Sequence, residues 1–246
     1  SEIIVNAGIP DGVFNLVMCS GAEVGTTIVN HQKVNGISFT GSVSTGQSVA
    51  RGAVSRMAKV QLEMGGKNPL IVLDDADLTT AVDCAINGAY FSTGQRCTAS
   101  SRLIVTEGIY DKFVSSMRER LSTLVVDHAL KAGTDIGPVV DERQLQKNLH
   151  YIQIGVEEGA KLVHGGERLS RDTPGFYMSP ALFIDTSPNM RINREEIFGP
   201  IASVIPAKDY DEALAIANDT DLGLSSGIIT TSLTVSYTHL RAHETP

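Results

Sequence analysis

Cys97 is the residue of this 246-residue chain whose type and surroundings best suit a nucleophile. It lies in Phe91-Ser92-Thr93-Gly94-Gln95-Arg96-Cys97-Thr98-Ala99-Ser100-Ser101-Arg102, after a helix-like run and before the apolar strand Leu103-Ile104-Val105. A turn there can point a side chain into a cleft. Thiols react as thiolates, and the adjacent Arg96, with backbone N–H groups at the start of a following element, would favour the ionised form. A cysteine taken at random is more often a buried structural thiol, but inert thiols sit among Leu, Val and Ile rather than Gly, Gln, Thr and Ser.

Three other stretches carry candidate chemistry. In Lys59-Val60-Gln61-Leu62-Glu63-Met64-Gly65-Gly66-Lys67-Asn68-Pro69, Glu63 closes a short strand before a Gly-Gly pair. Partial burial in a cleft would poise it as a general base, whereas a plain strand end would leave it solvated. Phe39-Thr40-Gly41-Ser42-Val43-Ser44-Thr45-Gly46 joins a strand to a helix, the arrangement that offers free N–H groups and a positive dipole end to a phosphate. Gly41 and Ser42 are therefore cofactor candidates, although the spacing is not Gly-x-Gly-x-x-Gly and such a turn alone is most often only a cap. In Arg191-Ile192-Asn193-Arg194-Glu195-Glu196-Ile197-Phe198-Gly199-Pro200, paired carboxylates are either solvated or, with Phe198 to pack a flat heterocycle, suited to a nucleotide ribose.

The elements that must position these residues alternate between strand and helix, which predicts an α/β fold with a mainly parallel sheet covered on both faces. Apolar runs predict strands at Val13–Val17, Val34–Phe39, Leu70–Leu73, around Leu103–Val105 and at Ile201–Ile205. Helical spacing predicts helices over Ala22–His31, after Gly46 with Val49, Ala50, Ala53, Val54 and Met57 on one face, Leu78–Tyr90, Tyr110–Leu124, Asp141–Gly159 and Tyr210–Ala217. Leu145, Leu149, Ile152 and Val156 should form the core stripe of the Asp141–Gly159 helix. Asp74, Asp75 and Asp77 read as helix caps rather than metal ligands.

Composition excludes several classes. The chain is 42% hydrophobic with a net charge of −8 and no basic block, which argues against a nucleic-acid partner. No apolar run reaches membrane-spanning length, and no signal peptide opens the chain. Three widely spaced cysteines, Cys19, Cys84 and Cys97, suit a reducing, cytoplasmic setting better than a disulfide framework or a zinc site. Cys19 and Cys84 read as core or inert thiols. Ser1–Gly8 reads as the last turns of a helix, so the chain is expected to be a fragment.

From near its start to about Leu233 the chain resembles the NAD(P)-dependent aldehyde dehydrogenases. Four blocks carry the resemblance, in order and spacing: Phe39-Thr40-Gly41-Ser42, Leu62-Glu63-Met64-Gly65-Gly66-Lys67, Gly94-Gln95-Arg96-Cys97 and Glu195-Glu196-Ile197-Phe198-Gly199-Pro200. The resemblance implies Cys97 as nucleophile and Glu63 as general base. It sets Gly25, Gly41, Ser42, Met64, Glu196 and Phe198 along NAD or NADP, with Gly25 on the adenine side, Ser42 and Gly41 at the pyrophosphate, Glu196 at the nicotinamide ribose and Phe198 near the nicotinamide. Glu63 favours water over coenzyme A as acyl acceptor. The wording around the site is most similar to 2-oxoglutarate semialdehyde (2,5-dioxopentanoate) dehydrogenases, with succinate semialdehyde the competing substrate and Arg96 a candidate anchor for a substrate carboxylate.

By the same resemblance, residues 1–64 would be the C-terminal part of a Rossmann-type cofactor domain and 65–233 a truncated catalytic domain. Residues 234–246 read as a non-native tail, so His239 and His243 are given no ligand role. A full-length homo-oligomer, dimer or tetramer, is implied. Two other readings stay open: a cofactor-independent thiol esterase using Cys97 with Glu63, against which nothing in the chain resembles the histidine partner of a Cys–His hydrolase, and a non-catalytic binding protein, which the joint presence of Cys97, Glu63 and Glu196 disfavours.

Overall fold

A computed structural model describes residues 2–18 and 20–238. Cys19, His239 and His243 fall outside these described residues. The chain forms two compact units, residues 1–64 and 65–246.

The first unit contains α1 (Glu2–Asn6), α2 (Gly21–Asn30), β1 (Gly36–Gly41), α3 (Val43–Val54) and β2 (Lys59–Met64). β1 and β2 pair in parallel from Gly36↔Lys59 to Gly41↔Met64, so β1-α3-β2 is one crossover unit. α3 buries Val49 and Ala53, and α2 contributes Val29. Gly52 is needed where the two helices meet, since a Cβ there would run into Val29.

Two expectations fail in this unit. Val13–Val17 is not a strand: Val13, Leu16 and Val17 are 60–70% exposed, because the β1–β2 pair is the only sheet among the unit's described residues and offers this run no neighbour. Val54 and Met57 are exposed as well, the helix having ended before Met57 turns left-handed at φ 58°.

In the second unit the elements run β3 (Pro69–Val72), α4 (Leu78–Tyr90), β4 (Arg102–Thr106), α5 (Glu107–Ser122), α6 (Glu142–Glu157), β5 (Lys161–His164), β6 (Arg168–Leu169), β7 (Tyr177–Met178), β8 (Ala181–Ile184), α7 (Arg191–Arg194), β9 (Ile201–Ala207), α8 (Tyr210–Asn218), β10 (Gly227–Ile229) and α9 (Leu233–Thr238). Six strands form one sheet in the order β10-β3-β4-β9-β8-β5, parallel except for the edge strand β5. Alternation along β3 and β4 sends Leu70, Val72, Leu103 and Val105 toward the α4 and α5 core, with Val82, Ala85, Phe113 and Met117. Ile71 and Ile104 face Ala213 and Ile216 of α8 on the other side. That two-faced burial is why these strands read as unbroken apolar runs.

Asp77 caps α4, its carboxylate accepting from Thr80 N at 2.8 Å. The neighbouring acids do different work. Asp74 accepts from Thr106 Oγ1 at 2.5 Å, and Asp75 accepts from Thr230 and Thr231, so both tie strand ends together rather than cap the helix. On α6, Val156 is exposed where a core position was expected, and Tyr151 and Ile154 are buried instead. Among the described residues no helix is long and apolar enough to cross a membrane, and no three His, Cys, Asp or Glu side chains could hold a metal ion together.

Candidate active site

The segment between α4 and β4 has an unusual backbone. Ser92, Thr93 and Gly94 are all left-handed, at φ 55°, 59° and 63°. Two of these are not glycines, and strain of ~1–3 kcal/mol each is typical of residues held so by their surroundings at functional sites. The surroundings are specific: Thr93 is buried and donates from Oγ1 to Gly137 O at 3.3 Å, and Gln95 Oε1 accepts from Val140 N at 3.0 Å. Gly94 admits no side chain at all, because a Cβ would strike the Gly199 carbonyl.

The thiol follows at a turn. Ala99 N donates to Arg96 O at 3.0 Å, so Arg96–Ala99 closes a four-residue turn with Cys97 at its first corner and its side chain exposed. Arg96 is committed elsewhere: its guanidinium donates to Asn87 O and, at 3.1 Å, to Gly88 O in the last turn of α4. That position satisfies helix-end carbonyls, a favourable place for a cation. Arg96 also lines an open groove of about 460 Å³ with Asp83, Cys84, Asn87, Gly88 and Thr98. Cys84 is exposed on the solvent face of α4, so of the two readings given it, core or inert thiol, the core one fails. The helical stripe that enters the core, Ala81, Val82, Ala85, Ile86 and Ala89, passes it by.

The adjacent carboxylates Glu195 and Glu196 separate by environment. Glu195 accepts from Arg191 Nε at 2.8 Å and from Tyr151 Oη at 2.5 Å, so it anchors α7 to α6. Glu196 is half-buried beside the Gly-Gly pair, and a Cβ on Gly65 would collide with its carboxylate. Burial pushes the Glu196 pKa up, against the pull of Lys147, the Gly66 N–H and Lys67. Phe198, two residues on, is left-handed at φ 62° and half-buried, lining a small cavity with Glu196, Gly66 and Arg96.

Lys67 is almost completely buried, at 1% exposure. Burial first, and the Arg102 guanidinium second, bring its pKa down from 10.5 to about 7. Between about pH 7 and 10.5 the unfolded chain therefore binds more protons at this residue than the folded one, so stability rises with pH, by up to ~1.4 kcal/mol per pH unit. Below pH 7 the residue's full penalty is present. We expect Lys67→Met to flatten the rise in Tm between pH 7 and 9; an unchanged slope would show that Lys67 is not the source.

In the first unit, Ser42 is the N-cap of α3, its Oγ accepting from Thr45 N at 3.3 Å. Gly41 precedes it at the end of β1, with Phe39 packed 2.6 Å from where a Cβ would stand. Gly25 lines an open cleft of about 740 Å³ between α2, β1 and α3, together with Thr26, Ile37, Phe39, Thr45 and Ser48. Met64 packs its sulfur against Gly46 at the start of α3. Glu63 lies near the end of β2 and is exposed, without the burial expected of it. Sequence reasoning missed the second unit's Asn68, Lys67 and Tyr151. A Gly-Gly-Lys-Asn-Pro run flags a tight approach, but nothing in it says that the lysine and asparagine are buried.

Residues 1–245 match the Aldehyde dehydrogenase family. A Bacillus subtilis protein described as alpha-ketoglutaric semialdehyde dehydrogenase is 45% identical over 229 residues, which are 92% of this chain and 47% of that protein. The 2,5-dioxopentanoate dehydrogenase of Saccharolobus solfataricus is 42% identical over 94% of this chain and 48% of its own length. Among solved structures, an NAD-dependent aldehyde dehydrogenase from Sinorhizobium meliloti superposes with a TM-score of 0.93 at 40% identity, over 96% of this chain and 46% of that one. Betaine aldehyde dehydrogenase from Staphylococcus aureus, in complex with NAD+, gives 0.92 at 35% identity, over 96% and 47%. The chain thus spans about half the length of the relatives it matches, and it belongs to the aldehyde dehydrogenase family.

Proposed function

We propose that the intact protein oxidises an aldehyde to its carboxylic acid with NAD or NADP, residues 1–64 contributing to the cofactor site and 65–233 carrying the thiol chemistry. The observation that carries this reading is the Cys97 turn: an exposed thiol on a strained, tightly held segment beside Gly94 and Gly199. Two features fit a dinucleotide. Ser42 and Gly41 precede the N-terminus of α3, and the missing side chain of Gly65 leaves room for the Glu196 carboxylate, which would accept from ribose hydroxyls. Gly25, Met64 and Phe198 complete the set we assign to the cofactor.

In the mechanism, Cys97 thiolate adds to the carbonyl carbon and the oxyanion accepts a hydrogen bond from the Cys97 N–H. A nicotinamide bound there would supply the acceptor for the hydride expelled as the thiohemiacetal on Cys97 collapses to a thioester. Glu63 then removes a proton from water, which attacks the thioester and releases the acid.

Relatives named for oxoglutarate semialdehyde support 2-oxoglutarate semialdehyde as the substrate. The test is NADH or NADPH formation by the intact protein with 2-oxoglutarate semialdehyde and succinate semialdehyde under each cofactor. We expect higher kcat/KM for the former; no reduction with any aldehyde, alongside ester hydrolysis, would favour a thiol esterase instead. In the same assay Arg96→Ala should raise KM more for a carboxylated aldehyde than for a neutral one of similar size. Equal effects would leave Arg96 with the α4 carbonyls alone.

A further inference from the structure

We propose that Asn68 is a positioning residue for the thiol chemistry, holding the Cys97 turn so that its backbone N–H faces the reacting oxygen. The inference rests on the reading of Cys97 as nucleophile. Asn68 is 1% exposed and stands immediately before Pro69, at the start of β3. Its Nδ2 donates to Cys97 O at 2.7 Å and to Ala99 O at 3.1 Å. Its Oδ1 accepts from Ser225 N at 2.9 Å. With one N–H and two carbonyls as partners, the amide has a single orientation that satisfies all three.

The consequence lies in the turn's carbonyls. Arg96 O accepts from Ala99 N, Cys97 O and Ala99 O from Asn68, and Thr98 O from Ser225 Oγ at 3.4 Å. All four successive carbonyls of the turn are thus held by the protein. Among the described residues the N–H groups of Arg96, Cys97 and Thr98 donate to no protein oxygen, and the middle one of these three free donors belongs to the nucleophile itself. Fixing the carbonyls fixes the peptide planes, and a preorganised donor is what stabilises a developing oxyanion. Gly66 makes room for the clamp, since a Cβ there would stand 2.7 Å from Asn68 Oδ1.

Positioning and mere structural support separate by comparing two reactions of the same thiol in the intact protein without cofactor. Acylation by p-nitrophenyl acetate passes through an oxyanion, whereas alkylation by iodoacetamide does not. Asn68→Ala is expected to slow acylation roughly 100-fold, the loss typical of one oxyanion donor, while alkylation changes less than about threefold. Asn68→Ser, which keeps one short donor, should recover part of the acylation rate and serves as the test by the same criterion if the alanine variant does not fold. Equal loss of both reactions, or loss of neither, overturns the inference. Cys97→Ser acts on the underlying reading: ester acylation and aldehyde oxidation that survive it would remove the nucleophile, and with it any role for the clamp.

Discussion

Cys97→Ser should lower aldehyde oxidation by a factor on the order of 10⁴ to 10⁶, with KM for the cofactor unchanged, as expected when a covalent nucleophile is lost. The serine hydroxyl occupies nearly the volume of the thiol, and the turn is held through its backbone carbonyls, so Asn68, Ser225 and Ala99 keep their partners. What changes is the chemistry: a serine hydroxyl is not ionised near neutral pH, and among the described residues no base is hydrogen-bonded to the side chain at this position. The effect should therefore fall on kcat and not on folding. A variant retaining a tenth or more of the wild-type rate would place the nucleophile elsewhere, and Cys84, the other thiol among the described residues, is also exposed.

Glu63→Gln is expected to divide the reaction in time. Hydride leaves before water attacks, so a variant without the base should form one equivalent of reduced cofactor rapidly and then stall, with steady-state turnover down by about 10²- to 10⁴-fold. Rapid mixing with detection of the reduced cofactor reads both phases. If the burst disappears together with the steady state, Glu63 acts on the first step, as activator of the Cys97 thiol, and the assignment to water is wrong. The substitution is nearly isosteric on an exposed strand position, so stability should change by less than ~0.5 kcal/mol.

How much of this was legible in the sequence differs from residue to residue. Cys97 stood out because polar, small residues interrupt two patterns, the helical stripe ending at Tyr90 and the apolar run of β4, and such an interruption marks a turn. β3 and β4 were equally plain, since strands covered on both faces admit no polar alternation. Val13–Val17 has the same apolar look without the outcome, because a strand is a relation to a neighbour and composition does not supply one. Glu195 and Glu196 cannot be told apart as a dipeptide. Their division depends on Tyr151, 44 residues away, and on the absence of a side chain at Gly65. Asn68 was hidden for a related reason: its partners at Cys97 and Ser225 are 29 and 157 residues distant, and only the order β10-β3-β4 brings them to one strand end.

The central claim, that an aldehyde becomes a thioester on Cys97, is most directly tested by mass spectrometry of the Glu63→Gln protein quenched in acid after mixing with 2-oxoglutarate semialdehyde and NAD+ or NADP+. The account predicts an acyl adduct on the peptide carrying Cys97, formed only with cofactor present and released by hydroxylamine. Reduced cofactor accumulating with the Cys97 peptide unmodified, or an adduct on any other residue, would contradict it.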